Sequence, residues 1–148
     1  MLSKKDTIAM TIVYVKAHLL NEIEQYGKQH LPFESCGVLF GIKREDSIHI
    51  SEWSPVRNEA LTRQSHFWFQ PQEWVELLYR QTSEHQIVGI FHSHPTKAPI
   101  LSETDLEGLN LWQWPIYLIF SYADKQTGFQ FYDNKLLPLM TQFGVKIT

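Results

Sequence analysis

The sequence predicts an α/β fold, a mixed central β-sheet flanked by helices in an α/β/α arrangement. Three features of the chain lead there. Residues 87–91 and 116–120 are nearly continuous apolar runs of strand length, the pattern of strands covered on both faces. Residues 15–30 and 71–83 instead space their apolar side chains by three and four, as one face of a helix does. These segments alternate along 148 residues without a repeat, a low-complexity tract or a linker, so residues 1–148 read as one domain with one core.

In chain order, residues 1–10 read as a loose tail. Val15, Leu19, Leu20, Ile23 and Tyr26 make the apolar face of a first helix, with Gly27 as its stop. Residues 36–42 are small and apolar between charged flanks, as a buried strand would be. Residues 47–54 alternate Ile48, Ile50 and Trp53 with polar neighbours and are expected to pair with that strand. Residues 66–69 suggest a short aromatic strand. Pro71 then occupies the first turn of a second helix carrying Trp74, Val75, Leu77 and Leu78. A turn at residues 124–127 leads into a last strand over 128–132.

Composition narrows the function classes. A content of 43% hydrophobic, 14% aromatic and 20% charged residues excludes a disordered or fibrous chain. Thirteen Lys and Arg against sixteen Asp and Glu leave a net charge of -3, without the basic footprint of a nucleic-acid binder. The single cysteine, Cys36, cannot form an internal disulfide and reads as a packed core thiol. It also removes zinc sites built on several thiolates, among them the Cys-x-x-Cys half of a deaminase site. Lys4, Lys5 and Asp6 interrupt the N-terminus, and no apolar run approaches the roughly 20 residues of a membrane span. A cytoplasmic, unprocessed protein with no membrane partner is the expectation.

The chemistry concentrates in residues 92–105. His92 and His94 stand two apart at the end of an apolar strand, so both project to one side and can grip one ion. After a Pro-bounded loop, Ser102 starts a new helix with Asp105 in its first turn, where the carboxylate can swing back as a third ligand. Three protein ligands leave a fourth position open, and an open zinc site supplies hydroxide near neutral pH. Glu34, just ahead of the 36–42 strand, is the acid best placed to act as base, and Ser102 can donate to a developing oxyanion. Ser102-x-x-Asp105 is equally a helix-capping pattern. Together, His-x-His-x7-Ser-x2-Asp should arise by accident on the order of once in a thousand such chains. Two imidazoles and a carboxylate also accept other divalent metals.

At these residues the sequence resembles the JAMM (MPN-plus) metalloprotease family, whose signature is an upstream glutamate followed by His-x-His-x7-Ser-x2-Asp. Residues 34–41, Glu-Ser-Cys-Gly-Val-Leu-Phe-Gly, are similar to a segment of its compact bacterial members, as are Asn58 and Phe69-Gln70-Pro71. The resemblance runs from about Val13 to Tyr132. It implies an α/β fold related to that of cytidine deaminases, with one zinc per chain held by His92, His94 and Asp105. It further implies Glu34 as general base and Ser102 as stabiliser of the tetrahedral intermediate. Leu101 stands where many bacterial relatives have proline, and nine residues between Asp105 and Pro115 leave no room for a long insertion with a second zinc.

The implied activity is that of a zinc peptidase or isopeptidase acting on the flexible C-terminal tail of a ubiquitin-like or sulfur-carrier protein. It would either trim the carrier or remove a modifier in a conjugation or antiphage-defence system. The alternative is a catalytically silent MPN scaffold, which typically lacks part of the ligand set. A helical zinc protease is disfavoured because no His-Glu-x-x-His occurs.

Overall fold

The structure, a computed structural model, describes residues 11–102, 105, 113–123 and 128–143. Its elements run β1 (Ile12–Val15), α1 (Ala17–His30), β2 (Cys36–Lys43), β3 (Ser47–Val56), α2 (Pro71–Tyr79), β4 (Gln86–His94), β5 (Ile116–Ser121), β6 (Gly128–Asp133) and β7 (Pro138–Phe143). The sheet is mixed, as expected. β1 pairs in parallel with β3 and β7, β4 pairs in parallel with β5, and the remaining neighbours are antiparallel.

The sheet closes into a barrel in the order β1-β3-β2-β4-β5-β6-β7, a closure that the expected α/β/α sandwich did not include. The difference lies in β1 and β7, two short strands that pair with each other and seal the edges. Neither carries a long apolar run: β7 buries only Leu139 among its six residues.

Layering survives the closure. Successive residues of a strand face opposite sides of a sheet, and β2 divides accordingly. Leu39 joins a cluster with Val13, Ile48, Leu118 and Phe131, covered by Leu19, Leu20 and Ile23 of α1. Cys36, Val38 and Phe40 join Ile90, Tyr117 and Ile119, covered by Leu77 of α2. Each described helix therefore covers one face of the sheet, and the core thiol of Cys36 is fully buried on the α2 side.

Several local expectations shift. Val15 ends β1 and is not part of the first helix. Gly27 lies inside α1, and a Cβ there would collide with the Tyr122 hydroxyl, which donates to the Glu24 carbonyl at 2.6 Å. Close packing, not helix termination, is what requires glycine at this position. Residues 66–69 contribute one isolated bridge, Asn58 to Phe69, and α2 stops at Tyr79, four residues short of the expected end. The 1–10 tail, the 124–127 turn and most of the helix expected after Ser102 lie outside the described residues. Among the described residues, no helix is long and apolar enough to cross a membrane.

Candidate active site and metal centre

β4 runs between antiparallel β2 and parallel β5, and its C-terminal end carries His92 and His94, both almost fully buried. A site at the carboxyl end of neighbouring parallel strands is a recurrent placement in α/β folds. Cys36 of β2 stands opposite His92. One step further, Ser93 N donates to the Ser35 carbonyl at 2.9 Å, and Ser35 N and Oγ reach Ser93 Oγ at 2.7 and 2.9 Å. This buried clasp extends the pairing beyond the strand end, so Glu34 falls opposite His94 on the face that carries both imidazoles.

The loop after β4 is anchored at several points. His94 Nδ1 meets the Ala98 carbonyl at 2.8 Å, Ser121 Oγ donates to the Lys97 carbonyl at 2.5 Å and Tyr132 Oη donates to the Pro99 carbonyl at 2.8 Å. The loop thus returns Ser102 and Asp105 to the imidazoles. Ser102 N donates to Asp105 Oδ2 at 2.9 Å, and Asp105 N donates to Ser102 Oγ at 3.1 Å, a reciprocal cap.

His92 Nε2, His94 Nε2 and the Asp105 carboxylate face one another. The two nitrogens are 3.2 Å apart, His92 Nε2 is 3.1 Å from Asp105 Oδ1, and His94 Nε2 is 2.9 Å from Asp105 Oδ2. Ligands at about 2.05 Å from a tetrahedral ion lie about 3.3 Å apart, so the triangle has the dimensions of a divalent-metal site. A carbonyl only accepts, so His94 Nδ1 carries a proton toward Ala98, and Nε2, which faces Asp105, is the nitrogen whose lone pair a metal would take in place of a proton. Phe67 stacks on the His92 ring, 4.7 Å between centroids and 20° from parallel.

The electrostatics follow from burial and from these contacts. Burial lowers the His92 pKa, which Asp105 only partly offsets, and keeps the imidazole neutral. At His94, burial is outweighed by hydrogen bonds to Asp105 and Ala98, and the pKa rises. Burial also opposes ionisation of Asp105, but bonds from both imidazoles and from Ser102 N hold its carboxyl far below the usual range. Glu34 is pushed up to about 7, chiefly by burial and further by Asp105, against His94 and Lys97. Its Oε1 is buried without a hydrogen-bond partner among the described residues. Such an unpaired acceptor beside the triangle suits a water or ion.

All five residues singled out in the sequence are thus placed in one neighbourhood. Sequence reasoning missed the Ser35–Ser93 clasp, the Phe67 stack and the bonding of Asn58. Asn58 Nδ2 donates to the carbonyls of Glu34 and His66, both at 2.9 Å, while its Oδ1 accepts from Ala60 N and Trp68 N, both at 3.0 Å. It ties the loop between β3 and α2 to the base of Glu34. Each depends on contacts between residues far apart in sequence, which no local spacing reveals.

Comparisons with known proteins bear on the family and the fold. The family of prokaryotic homologs of the JAB domain matches residues 16–135. A desampylase of Haloferax volcanii is 34% identical over 97 residues, covering 65% of this chain and 68% of its own. A desampylase of Pyrococcus furiosus is 32% identical over 111 residues, covering 74% and 75%. In three dimensions the chain is similar to a protein of Desulfitobacterium hafniense solved in solution, with a TM-score of 0.68 at 20% identity over 91% of this chain and 94% of that one. It is also similar to a JAB1/MPN domain protein from Archaeoglobus fulgidus, with a TM-score of 0.52 at 22% identity over 89% and 98%.

Proposed function

The chain belongs to the prokaryotic JAB-domain family, of compact JAMM/MPN type, and from that premise we propose that it is a zinc-dependent peptidase or isopeptidase. Its substrate is the amide bond at the C-terminal tail of a ubiquitin-like protein. The observation that carries this reading is the buried triangle of His92, His94 and Asp105 with the unpaired Glu34 carboxyl beside it. The substrate class rests on the family resemblance and on the desampylase relatives. That kinship favours removal of a modifier from a conjugate over trimming of a sulfur carrier.

His92, His94 and Asp105 would hold one zinc, which when bound supplies a Lewis acid and lowers the pKa of water toward neutrality. Glu34 takes a proton from the attacking water as the new C–O bond forms. It then delivers that proton to the amide nitrogen as the C–N bond breaks, releasing a carboxylic acid and an amine. Burial of the Glu34 carboxyl favours its protonated form, which helps it carry the proton from one half of that transfer to the other. Ser102 Oγ accepts from Asp105 N, which leaves its own proton free for the oxyanion that develops on the substrate carbonyl. The tail can lie extended beside the site, gaining main-chain hydrogen bonds as an added strand.

A silent scaffold is disfavoured because all five chemical positions are filled. The test is release of a reporter fused behind the Gly-Gly tail of a ubiquitin-like protein. Cleavage should stop in chelator and return when zinc is restored. Cleavage indifferent to chelator contradicts a metal-dependent site.

A further inference from the structure

A recess of about 80 Å³ opens beside Glu34, lined by Tyr26, His30, Phe33, Glu34, Arg57 and Arg63 among others. Arg63 is fixed there from two directions. Its backbone carbonyl accepts from Glu34 N at 2.7 Å, and its guanidinium lies over the Phe33 ring, 4.5 Å from the centroid. Stacking occupies the flat face of a guanidinium and leaves its edge donors in the geometry that grips a carboxylate.

No ion pair engages Arg63 among the described residues, whereas Arg57 is paired with Glu73 at 3.2 Å. Among the described residues, Glu34 is the only acid lining the recess. Lys97, on the loop after β4, is close enough to act on the Glu34 carboxyl and likewise has no ion pair among the described residues. Arg63 lines the recess with Glu34 and Lys97 acts on the Glu34 carboxyl, so two cations without an ion pair among the described residues border this part of a chain whose net charge is -3.

We propose that this recess selects a carboxylate side chain in the substrate, an Asp or Glu close to the scissile bond. Arg63 is the principal contact and Lys97 adds long-range attraction. The inference rests on the peptidase reading for its substrate, but the recess can be tested by binding alone.

The probe is a set of fluorescent, C-terminally amidated peptides with a central Gly-Gly, carrying Asp or Asn at each position close to it on either side. Amidation removes the terminal carboxylate as a competing anion. Anisotropy with the wild-type protein should show at least one Asp peptide bound about threefold to tenfold more tightly than its Asn twin. The preference should shrink in high salt and vanish in Arg63→Gln. Arg63→Glu should reverse it toward a Lys peptide, an outcome that a misfolded variant cannot produce. Equal binding of the pairs, or no binding of any peptide, overturns the recess. Hydrolysis of the same peptides separates the two claims. Charge-selective binding without zinc-dependent cleavage contradicts the peptidase reading alone, and cleavage without charge preference contradicts the recess alone.

Discussion

Ser102 and Asp105 bond to each other twice, backbone to side chain in both directions, at 2.9 and 3.1 Å. The capping and chemical readings of Ser-x-x-Asp are therefore compatible: the cap holds the carboxylate where both imidazoles reach it. Ser102→Ala should cost about 1 kcal/mol of stability as a lost cap. If Ser102 also serves the oxyanion, kcat should fall by roughly 10²–10³. Unfolding and steady-state kinetics on the same preparation separate the two effects, and an unchanged kcat removes Ser102 from the mechanism.

Asn58 uses both amide donors and its carbonyl to join four backbone groups. Asn58→Ala strands those partners and should cost about 2–3 kcal/mol in denaturant unfolding. It should also lower kcat/KM, because the same loop carries Phe67 onto His92. A stability loss below about 0.5 kcal/mol would show that the loop does not depend on Asn58.

Gly27→Ala separates two physical effects of opposite sign. Helix propensity alone favours alanine by about 1 kcal/mol. The Tyr122 hydroxyl occupies the space a Cβ needs, so net destabilisation of about 1–3 kcal/mol is expected. Pairing the change with Tyr122→Phe should recover part of the loss, and a more stable single variant would contradict the packing.

Glu34 supplies a pH signature in metal-free protein. Its folded pKa is raised, so its favourable contribution is complete below the unfolded value of 4.5 and is lost as pH rises toward about 7. With chelator present, Glu34→Gln should match the wild type in stability near pH 4.5. It should exceed the wild type above pH 7, by on the order of 3 kcal/mol at most. Chemical denaturation across that window reads the gap, and parallel curves would place Glu34 in a solvated setting.

The centre of the fold was legible because its strands are apolar throughout and its helices periodic: β2, β4, β5 and α1 all appear in the chain's own pattern. β1 and β7 were not: β1 has four residues, β7 buries only Leu139, and both are held by pairing with each other and with β3 and β6 and not by local pattern. Likewise His92, His94, Ser102 and Asp105 sit within one short motif, and Glu34 is tied to a recognisable strand. What positions them, the Ser35–Ser93 clasp, the Asn58 bridge and the Phe67 stack, joins residues 58, 24 and 25 apart in the chain. Contacts of that kind exist only once the sheet has formed.

The most direct test of the central claim is Glu34→Gln, with zinc content and tail hydrolysis measured on the same sample. The account predicts about one zinc per chain, as in wild type, because the ligand triangle is intact, with hydrolysis lower by at least about 10²-fold. A variant that keeps its zinc and cleaves at the wild-type rate would contradict it.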